Sequence, residues 1–333
     1  MESFNGKVIL LTGGTGSFGK AFTSLTLSSH NPRQIIIFSR DEMKQWEMAQ
    51  KYANNPQVIF KIGDVRDRRR LAEACEGVDF IVHAAATKIV PTAEYNPAEC
   101  IKTNIDGALN VVDVAREHRV KRVVALSTDK ACNPVNLYGA TKLASDKMFV
   151  ASNSLDPNLP KLSVVRYGNV MGSRGSVIPF FLQCAKEGYL PITDERMTRF
   201  MISLEEAVKT VWLAFNEMHG GEIFVKKIPS MGIMDIAKAI DPSATIRFVG
   251  VRPGEKIHEQ MINEEDAQHT FSYNGYYKIL PAINDWSLDP TRIGNGVSVG
   301  NGFSYSSDNN EDVMTSEILR TWISANVDIL GKI

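Results

Sequence analysis

The chain has 333 residues, which is more than one domain of the usual size of about 100–200 residues and fewer than three would need. Its 37 lysine and arginine residues balance 38 aspartate and glutamate residues, so the net charge is −1. This balance excludes the basic surface typical of proteins that bind nucleic acid or an anionic membrane. Hydrophobic residues at 44% and charged residues at 23% exclude a disordered or fibrous chain.

The sequence has no segment typical of export or membrane insertion. Residues 1–6 lack the basic start of a signal peptide, and the apolar run that follows is too short for one. No stretch approaches the roughly 18 apolar residues of a membrane-spanning helix. The four cysteines are scattered and form no C-x-x-C pair, so we expect reduced thiols. These features predict a soluble, cytoplasmic protein.

Six short apolar runs in the first half predict strands that are buried on both faces, because they are rich in Val and Ile and lack polar alternation. They are residues 8–11, 35–38, 58–62, 80–82, 123–126 and 162–165. The gaps leave room for crossover helices, such as 41–53 and 100–118. This alternation predicts an α/β fold with a Rossmann-type doubly wound parallel sheet. Site residues are then expected directly after the strands, where the carboxyl ends meet one crevice.

The alternation weakens after Asn169. Helices are predicted at 204–218 and 233–239, and the turn-rich segment 294–310 follows. We expect residues 1–170 to form the sheet domain, with 205–225 returning to it. Residues 171–333 are expected to form mainly a smaller, C-terminal substrate-binding domain.

The first strand leads into a glycine-rich turn, T-G-G-T-G-S-F-G (12–19). Gly13 would permit the tight turn, Gly16 the approach of a pyrophosphate, and Gly19 the packing of the next helix. The helix N-terminus offers free N–H groups to the anion. The turn therefore predicts a dinucleotide site, to which Thr15, Ser17 and Phe18 would also contribute.

The end of the second strand bears on the choice of dinucleotide. Ser39 and Arg40 can bind the 2′-phosphate of NADP, with Lys44 one helical turn away. Asp41 leaves NAD open as the alternative, and we expect NADP. After the third strand, Asp64 and Val65 are predicted to meet the adenine.

The fourth strand is followed by His83 and the small residues Ala84, Ala85 and Ala86, which would let a cofactor lie close to the chain. His83 itself is expected to be a packed histidine. No His or Cys spacing suggests a metal site.

The fifth strand ends in Ser-Thr-Asp-Lys (127–130), and Tyr138 and Lys142 follow four residues apart. On a helix these two side chains share one face. A lysine ammonium beside a phenol lowers the pKa of the phenol, which would make Tyr138 a base near neutral pH.

Together the glycine turn, the Ser-Thr strand end and Y-x-x-x-K resemble the extended short-chain dehydrogenase/reductase superfamily. Within it, the chain resembles the inverting UDP-N-acetylglucosamine 4,6-dehydratases, the first enzymes of pseudaminic acid biosynthesis. The stretches that carry this resemblance run through most of the chain: S-R-D-E-M-K (39–44), G-D-V-R-D (63–67), E-Y-N-P-A-E-C-I-K-T-N (94–104), S-T-D-K-A-C-N-P-V-N-L-Y-G-A-T-K (127–142), R-Y-G-N-V (166–170), G-S-R-G-S-V (172–177), P-I-T-D (191–194), M-T-R-F (197–200), H-G-G-E-I-F-V (219–225), R-P-G-E-K (252–256) and S-Y-S-S-D-N-N (304–310). Ile89 departs from the pattern, which has His there, and 267–300 matches poorly.

The resemblance implies an NADP-dependent lyase reaction without net redox change. A hydride leaves C4 while Tyr138 takes the hydroxyl proton; Lys130 then takes the C5 proton and a protonated Asp129 helps the C6 hydroxyl leave as water. The hydride returns to C6, and C5 is reprotonated on the opposite face. Lys142 and Thr128 complete the catalytic set. A neutral carboxyl beside a neutral amine requires strongly shifted pKa values.

The resemblance also implies the binding residues. Lys88 would contact both cofactor and substrate, and further side chains would hold UDP-N-acetylglucosamine: Thr128, Asn169, Val170 and Glu255. By their charge and planar fork, Arg199 and Arg252 are the expected partners of its diphosphate. A homo-oligomer is implied, with a hexamer suspected.

Two rival functions remain. The nearer is a retaining nucleotide-sugar 4,6-dehydratase or a 4-epimerase. Retaining dehydratases carry a Glu after the Asp, where this chain has Lys130, and a simple epimerase lacks the acid–base pair; both points argue against this rival. The farther rival is a catalytically silent NADP-binding regulator, against which the intact Thr128, Tyr138 and Lys142 argue.

Overall fold

A ten-stranded mixed sheet forms the centre of the computed structural model, which describes residues 4–154, 156 and 158–327. The strands of this sheet and of three smaller ones are β1 Val8–Thr12, β2 Gln34–Ser39, β3 Val58–Ile62, β4 Phe80–His83, β5 Arg122–Leu126, β6 Lys161–Arg166, β7 Asn169–Val170, β8 Tyr189–Ile192, β9 Thr198–Ile202, β10 Ile223–Lys226, β11 Ser230–Gly232, β12 Thr245–Phe248, β13 Gln260–Ile262, β14 Thr270–Tyr273, β15 Tyr276–Ile279, β16 Val297–Ser298 and β17 Tyr305–Ser306.

The α-helices of the described chain are α1 Ser17–Ser29, α2 Glu42–Lys51, α3 Arg68–Ala74, α4 Val90–Tyr95, α5 Pro97–Ile101, α6 Gly107–Glu117, α7 Leu137–Ala151, α8 Val177–Ala185, α9 Leu204–Glu217, α10 Ile233–Ile240, α11 Glu264–Ala267, α12 Pro290–Ile293 and α13 Ser316–Ala325. A π-helical turn, Lys102–Asp106, joins α5 to α6. Short 3₁₀ turns span Asp129–Ala131 and Ile283–Leu288. Among the described residues, none of the helices combines the length and the apolar character needed to cross a bilayer.

The strand order across the large sheet is β16-β14-β15-β10-β6-β5-β4-β1-β2-β3. From β10 to β3 neighbouring strands are parallel, and β15, β14 and β16 extend the sheet in antiparallel pairs. The chain reverses its winding between β1 and β4, which places a crevice at the carboxyl ends of these two strands. The predicted fold class is confirmed, and the bounds of the six predicted strands lie within one residue of β1–β6.

The predicted helix 100–118 is interrupted, because the π-helical turn inserts into it. The turn directs Asn104 inward, where its Oδ1 accepts a hydrogen bond from the Thr87 N–H at 2.8 Å. Its Nδ2 donates to the Thr87 carbonyl at 2.9 Å and to Thr141 Oγ1 at 3.0 Å. The interruption therefore ties the segment after β4 to α7, and such turns are frequent at functional sites.

The second half of the chain contributes to both the sheet and a separate core. Strand β10 pairs with β6, and α9 packs on α1. Helices α8, α10 and α13 enclose a second apolar cluster that includes Ile178, Leu190 and Leu319. The domain boundary near residue 170 stays a prediction; the structure adds that β14–β16, from the predicted substrate side, lie in the same sheet.

Candidate active site

The turn after β1 brings two backbone segments unusually close. Gly13 has φ +67°, and its N–H donates to the Phe38 carbonyl at 2.8 Å. A Cβ at Gly13 would lie 2.8 Å from the carbonyl of Ala84 and from the N–H nitrogen of Ala85. Only glycine fits there, because φ is positive and backbone fills the space that a side chain needs.

The start of α1 offers an anion site at the same turn. Its N-cap is Gly16, which brings no side-chain cap, so the first N–H groups of the helix remain available. A Cβ at Gly19 would lie 2.3 Å from the Gly14 carbonyl oxygen, which shows how closely α1 packs on the turn. Thr15, Ser17 and Phe18 lie in the turn and first helical turn, as predicted. The cradle fits a dinucleotide pyrophosphate.

The predicted ribose-side residues at and after the end of β2 contact neighbouring side chains. The buried Ser39 Oγ accepts from Thr15 Oγ1 at 3.1 Å, which joins this strand end to the glycine turn. Asp41 instead caps α2: its Oδ1 accepts from the Lys44 N–H at 3.0 Å and its Oδ2 lies 2.5 Å from Lys44 Nζ. Hydrogen bonds from Lys44 hold the pKa of Asp41 below its ordinary value. The carboxylate of Asp41 is thus already engaged.

Arg40 and Asp64 approach each other from adjacent strand ends. Arg40 Nη1 lies 3.6 Å from Asp64 Oδ2, and the arginine side chain is 56% exposed. Burial alone would raise the pKa of Asp64, but hydrogen bonds from Arg66 and the charge of Arg40 lower it overall. Val65 is buried against Gly107. The guanidinium of Arg40 is therefore accessible at this end of the crevice.

His83 ends β4 inside the protein, as expected. Its Nδ1 lies 2.9 Å from Thr12 Oγ1, and the ring is almost fully buried. Burial, helped by the nearby charge of Lys142, lowers the pKa of His83 to about 3. The neutral ring fixes the Thr12 hydroxyl, which accepts from the N–H groups of Ala84 and Ala85 at 3.2 and 3.3 Å. His83 thereby supports the small-residue segment that continues through the exposed Ala86.

The strongest cluster of ionisable groups follows β5. Thr128 donates to Asp129 Oδ1 at 2.9 Å and its Oγ1 accepts from the Lys130 N–H at 3.3 Å, which forms the 3₁₀ turn. Lys130 Nζ lies 3.1 Å from Asp129 Oδ1 and 3.0 Å from Glu259 Oε1. Both carboxyl groups are almost fully buried, at 1% and 2% exposure. The lysine amine is thus held between two carboxyl groups from distant parts of the chain.

Asp129 has the protonation state expected from the sequence, whereas Lys130 does not. Burial raises the pKa of Asp129, and the charge of Glu259 adds to that effect. Asp129 Oδ2 is buried without a hydrogen-bond partner among the described residues, so it is the natural place for a proton. The expected downward shift of the Lys130 pKa is wrong for this state: burial would lower it, but Asp129 and Glu259 together raise it. Lys130 is an ammonium here.

Helix α7 brings Tyr138 to this cluster. Its N-cap, Asn136, accepts from the Gly139 N–H at 2.8 Å. A Cβ at Gly139 would lie 2.2 Å from the Lys130 carbonyl oxygen, so the first turn of α7 rests directly on the 3₁₀ turn. Burial raises the pKa of Tyr138 to about 12, while the charge of Lys130 and a side-chain hydrogen bond with Thr128 act to lower it.

Lys142 lies one turn further along α7 and is 3% exposed. Burial lowers its pKa, and the charge of Asp146 opposes that shift. The expectation that Lys142 lowers the pKa of Tyr138 toward neutral pH is wrong for this state, because burial raises that pKa and the strongest cation acting on Tyr138 is Lys130. The structure thus brings together Thr128, Asp129, Lys130 and Tyr138, with the buried Lys142 one helical turn beyond Tyr138.

The predicted substrate residues occupy the edge of the second half. Asn169 and Val170 form β7, which pairs with β9. Arg199, on β9, donates to the carbonyls of Lys256 and Ile257 at 3.1 and 2.9 Å. Its guanidinium therefore fastens the 252–259 segment to β9.

Arg252 and Glu255 form an ion pair of 2.6 Å at the rim, with the arginine 61% exposed. Beside them a cleft of about 510 Å³ opens between Asn133 and the segment 254–260. Lys88 lies exposed on the segment after β4. These three side chains are accessible to a ligand that enters the crevice.

Glu259 is the functional candidate that sequence reasoning missed. It stands three residues beyond the recognised stretch R-P-G-E-K (252–256), within which Glu255 was selected. No local pattern links Glu259 to Lys130, because the two residues meet only through the fold. The one signal that could have pointed to Glu259 is weak: it directly precedes β13, and β13 pairs with β17 in the recognised segment S-Y-S-S-D-N-N (304–310).

A parallel sheet with a glycine-rich cradle at its switch point and an adjacent Thr, Tyr and Lys defines an enzyme of the extended short-chain dehydrogenase/reductase class. The chain belongs to the family described as "Polysaccharide biosynthesis protein", whose model matches residues 9–281.

Three similar proteins illustrate its relatives. The UDP-N-acetylglucosamine 4,6-dehydratase (inverting) of Campylobacter jejuni subsp. jejuni is 57% identical over 317 residues, which are 92% of this chain and 94% of that protein. A UDP-glucose 4-epimerase of Rickettsia conorii is 45% identical over 285 residues, 83% of each chain. The X-ray structure of Pen from Bacillus thuringiensis has a TM-score of 0.87 at 33% identity and covers 97% of this chain and 100% of that one. The resemblance stated from the sequence is confirmed.

Proposed function

We propose that this protein is a UDP-N-acetylglucosamine 4,6-dehydratase that inverts C5 and releases UDP-2-acetamido-2,6-dideoxy-β-L-arabino-hex-4-ulose, as the first step of pseudaminic acid biosynthesis. The observation that carries the proposal is the position of Asp129 and Lys130 beside Tyr138. One carboxyl with a raised pKa, one amine and one phenol lie within a single buried cluster. The 57% identity to an inverting dehydratase supports it.

The residues of the cluster divide the proton transfers. Tyr138, as phenolate, takes the proton of the C4 hydroxyl, and a side-chain hydrogen bond with Thr128 favours that anion. Lys130, which is 24% exposed and first releases its ammonium proton to solvent, takes the C5 proton that the 4-ketone has acidified. Asp129 gives its proton to the departing C6 hydroxyl, for which its unpartnered Oδ2 is suited. An acid on the other face returns a proton to C5, so the substrate loses one water and no net redox change occurs.

The cofactor we propose is NADP. When bound, a nicotinamide dinucleotide would supply the acceptor and later the donor of the hydride. The cradle at Gly13 and Gly16 would hold its pyrophosphate, and Ser39, Arg40 and Lys44 its ribose 2′-phosphate. The engagement of the Asp41 carboxylate by Lys44 favours NADP over NAD, because it leaves that acid less able to accept from a 2′-hydroxyl.

The substrate side follows the same reasoning. Arg252 at the rim would meet the diphosphate, together with Lys88. Asn169, Val170 and Glu255 are proposed to line the nucleotide and sugar. Arg199 would act at closer range, beside Glu259 at 3.9 Å.

The test is a short incubation of the purified protein with UDP-N-acetylglucosamine and catalytic NADP in D₂O, followed by proton NMR. The expected product carries a C6 methyl group that received the C4 hydrogen, with deuterium at C5 in the L configuration. A D-xylo product contradicts inversion and assigns a retaining dehydratase. Absence of any turnover supports the silent regulator instead.

A 4-epimerase is the second candidate, because a UDP-glucose 4-epimerase is 45% identical to this chain. Such an enzyme needs Tyr138 but no acid–base pair at C5 and C6. The same NMR assay separates the two, since an epimerase leaves the C6 hydroxymethyl group intact and places no deuterium at C5.

A further inference from the structure

Glu259 makes the shortest ionic contact to Lys130, and no role has been given to it so far. Its Oε1 lies 3.0 Å from Lys130 Nζ, slightly closer than Asp129 Oδ1 at 3.1 Å. The side chain is 2% exposed, and its Oε2 has no hydrogen-bond partner among the described residues. A buried carboxylate is costly to retain without a charged partner, and Lys130 is the nearest one.

The backbone around Glu259 is fixed from two directions. Its N–H donates to Ser307 Oγ at 2.9 Å, and its carbonyl accepts from the Ser307 N–H at 2.8 Å. Ser306 Oγ donates to the same carbonyl at 3.2 Å. Ser307 Oγ lies 2.7 Å from Thr198 Oγ1 on β9. The S-Y-S-S-D-N-N segment (304–310) thus serves to hold Glu259 at a set distance from Lys130.

We propose that Glu259 is a positioning residue for Lys130: it holds the amine at the C5 side of the sugar and stabilises the ammonium that forms when Lys130 takes the C5 proton. The proposal rests on the proposed function, in which Lys130 is the base. The arrangement follows the logic of a base oriented by a third, buried carboxylate. Asp129 does not supply this charge when the C5 proton moves, because it is still protonated then and gives up its proton only to the departing C6 hydroxyl.

The charges around Lys130 make the role measurable. Asp129 and Tyr138 face it from its own turn and from α7, and Glu259 faces it from the second half of the chain. Arg199 and Lys256 are the nearby cations. Replacing Glu259 with Gln keeps the shape and one acceptor oxygen but removes a negative charge. The pKa of Lys130 must then fall, since the two cations no longer have a matching anion.

The experiment compares wild type, Glu259→Gln and the control Glu265→Gln, which makes the same change in an exposed side chain on α11. For each, the pH dependence of kcat and of deuterium entry at C5 is measured, together with the transient reduction of bound NADP in a single turnover. In Glu259→Gln we expect the rise of kcat with pH to end at least about one pH unit lower, and C5 exchange above that rise to fall at least about tenfold. The transient reduction should persist.

The proposal is overturned if the rise of kcat with pH ends at the same pH in all three proteins. It is also overturned if Glu259→Gln loses the first oxidation and C5 exchange equally, because that would indicate a purely structural ion pair. If Glu259→Gln does not fold, Glu259→Asp keeps the charge but withdraws the carboxylate, and a smaller shift in the same direction is expected; no shift overturns the proposal. Wild type without C5 exchange or water loss contradicts the proposed function itself, which separates the two failures.

Discussion

The close approach between the Gly13 turn and the Ala84–Ala85 backbone can be tested by mutation, with Gly77 as the matched control. Both have φ +67°, but a Cβ at Gly13 would meet Ala84 and Ala85 backbone at 2.8 Å, whereas Gly77 has nothing within 4 Å. In Gly77→Ala the left-handed backbone alone should lower the free energy of unfolding by about 1–2 kcal/mol. Gly13→Ala adds the displacement of a backbone segment, about 1–3 kcal/mol more, for a total of about 2–5 kcal/mol.

Urea unfolding followed by tryptophan fluorescence gives both free energies, and dinucleotide titration gives the affinities. We expect Gly13→Ala to weaken cofactor binding as well, because the displaced Ala84–Ala85 segment forms one wall of the crevice, while Gly77→Ala binds like wild type. If the two variants lose the same free energy of unfolding within about 0.5 kcal/mol, the close approach does not exist in solution. Unchanged cofactor affinity in Gly13→Ala would sink the assignment of the cradle.

The remaining predictions concern the cofactor, the division of catalysis and a buried histidine. Arg40→Ala should weaken binding of NADP more than of NAD by about 1.5–3 kcal/mol, and equal losses by calorimetry would contradict the 2′-phosphate assignment. Tyr138→Phe should abolish the transient reduction of bound NADP, whereas Lys130→Ala should retain it and stall at the 4-ketone. Stopped-flow absorbance of the reduced cofactor distinguishes the two variants. Loss of the transient reduction in both variants would contradict separate roles for Tyr138 in the oxidation and Lys130 in the elimination. His83 has a pKa of about 3 in the fold against 6.5 when unfolded, so the unfolded chain binds the extra proton as pH falls. Between pH 6.5 and 3, the free energy of unfolding of wild type should therefore decrease more steeply than that of His83→Gln. The difference in slope should reach about 1.4 kcal/mol per pH unit, as urea unfolding at several pH values would show.

The sheet and the cofactor cradle could be predicted because their signals are local. A run such as Ile35–Ile37 is β-branched throughout, so it indicates a strand buried on both faces whatever surrounds it. The glycine turn carries its own steric requirement, which Gly13 meets with a positive φ. The 3₁₀ turn at Asp129 and the start of α7 follow directly in sequence, so their proximity was also within reach.

The charges of the site could not be predicted in the same way. Lys130 departs from its expected protonation because Glu259, 129 positions away in the chain, lies 3.0 Å from it. Arg199 was expected to face a diphosphate on the strength of its charge, yet its N–H groups fasten the carbonyls of residues 256 and 257. Such long-range pairings depend on how two halves of the chain pack, and no spacing in the sequence encodes them.

The sum of these buried charges bears on the elimination itself. Burial favours a neutral Asp129, so Lys130, Arg199 and Lys256 face a single anion, Glu259, and positive charge is in excess in the cluster. Removal of the C5 proton from a 4-ketone generates negative charge on the sugar, and a site with few waters makes nearby cations strongly effective. Once Lys130 has taken that proton it is an ammonium again, the state that Glu259 stabilises in this structure. The Lys130–Glu259 ion pair therefore opposes the loss of the ammonium proton that must come first, and then favours transfer of the C5 proton to Lys130.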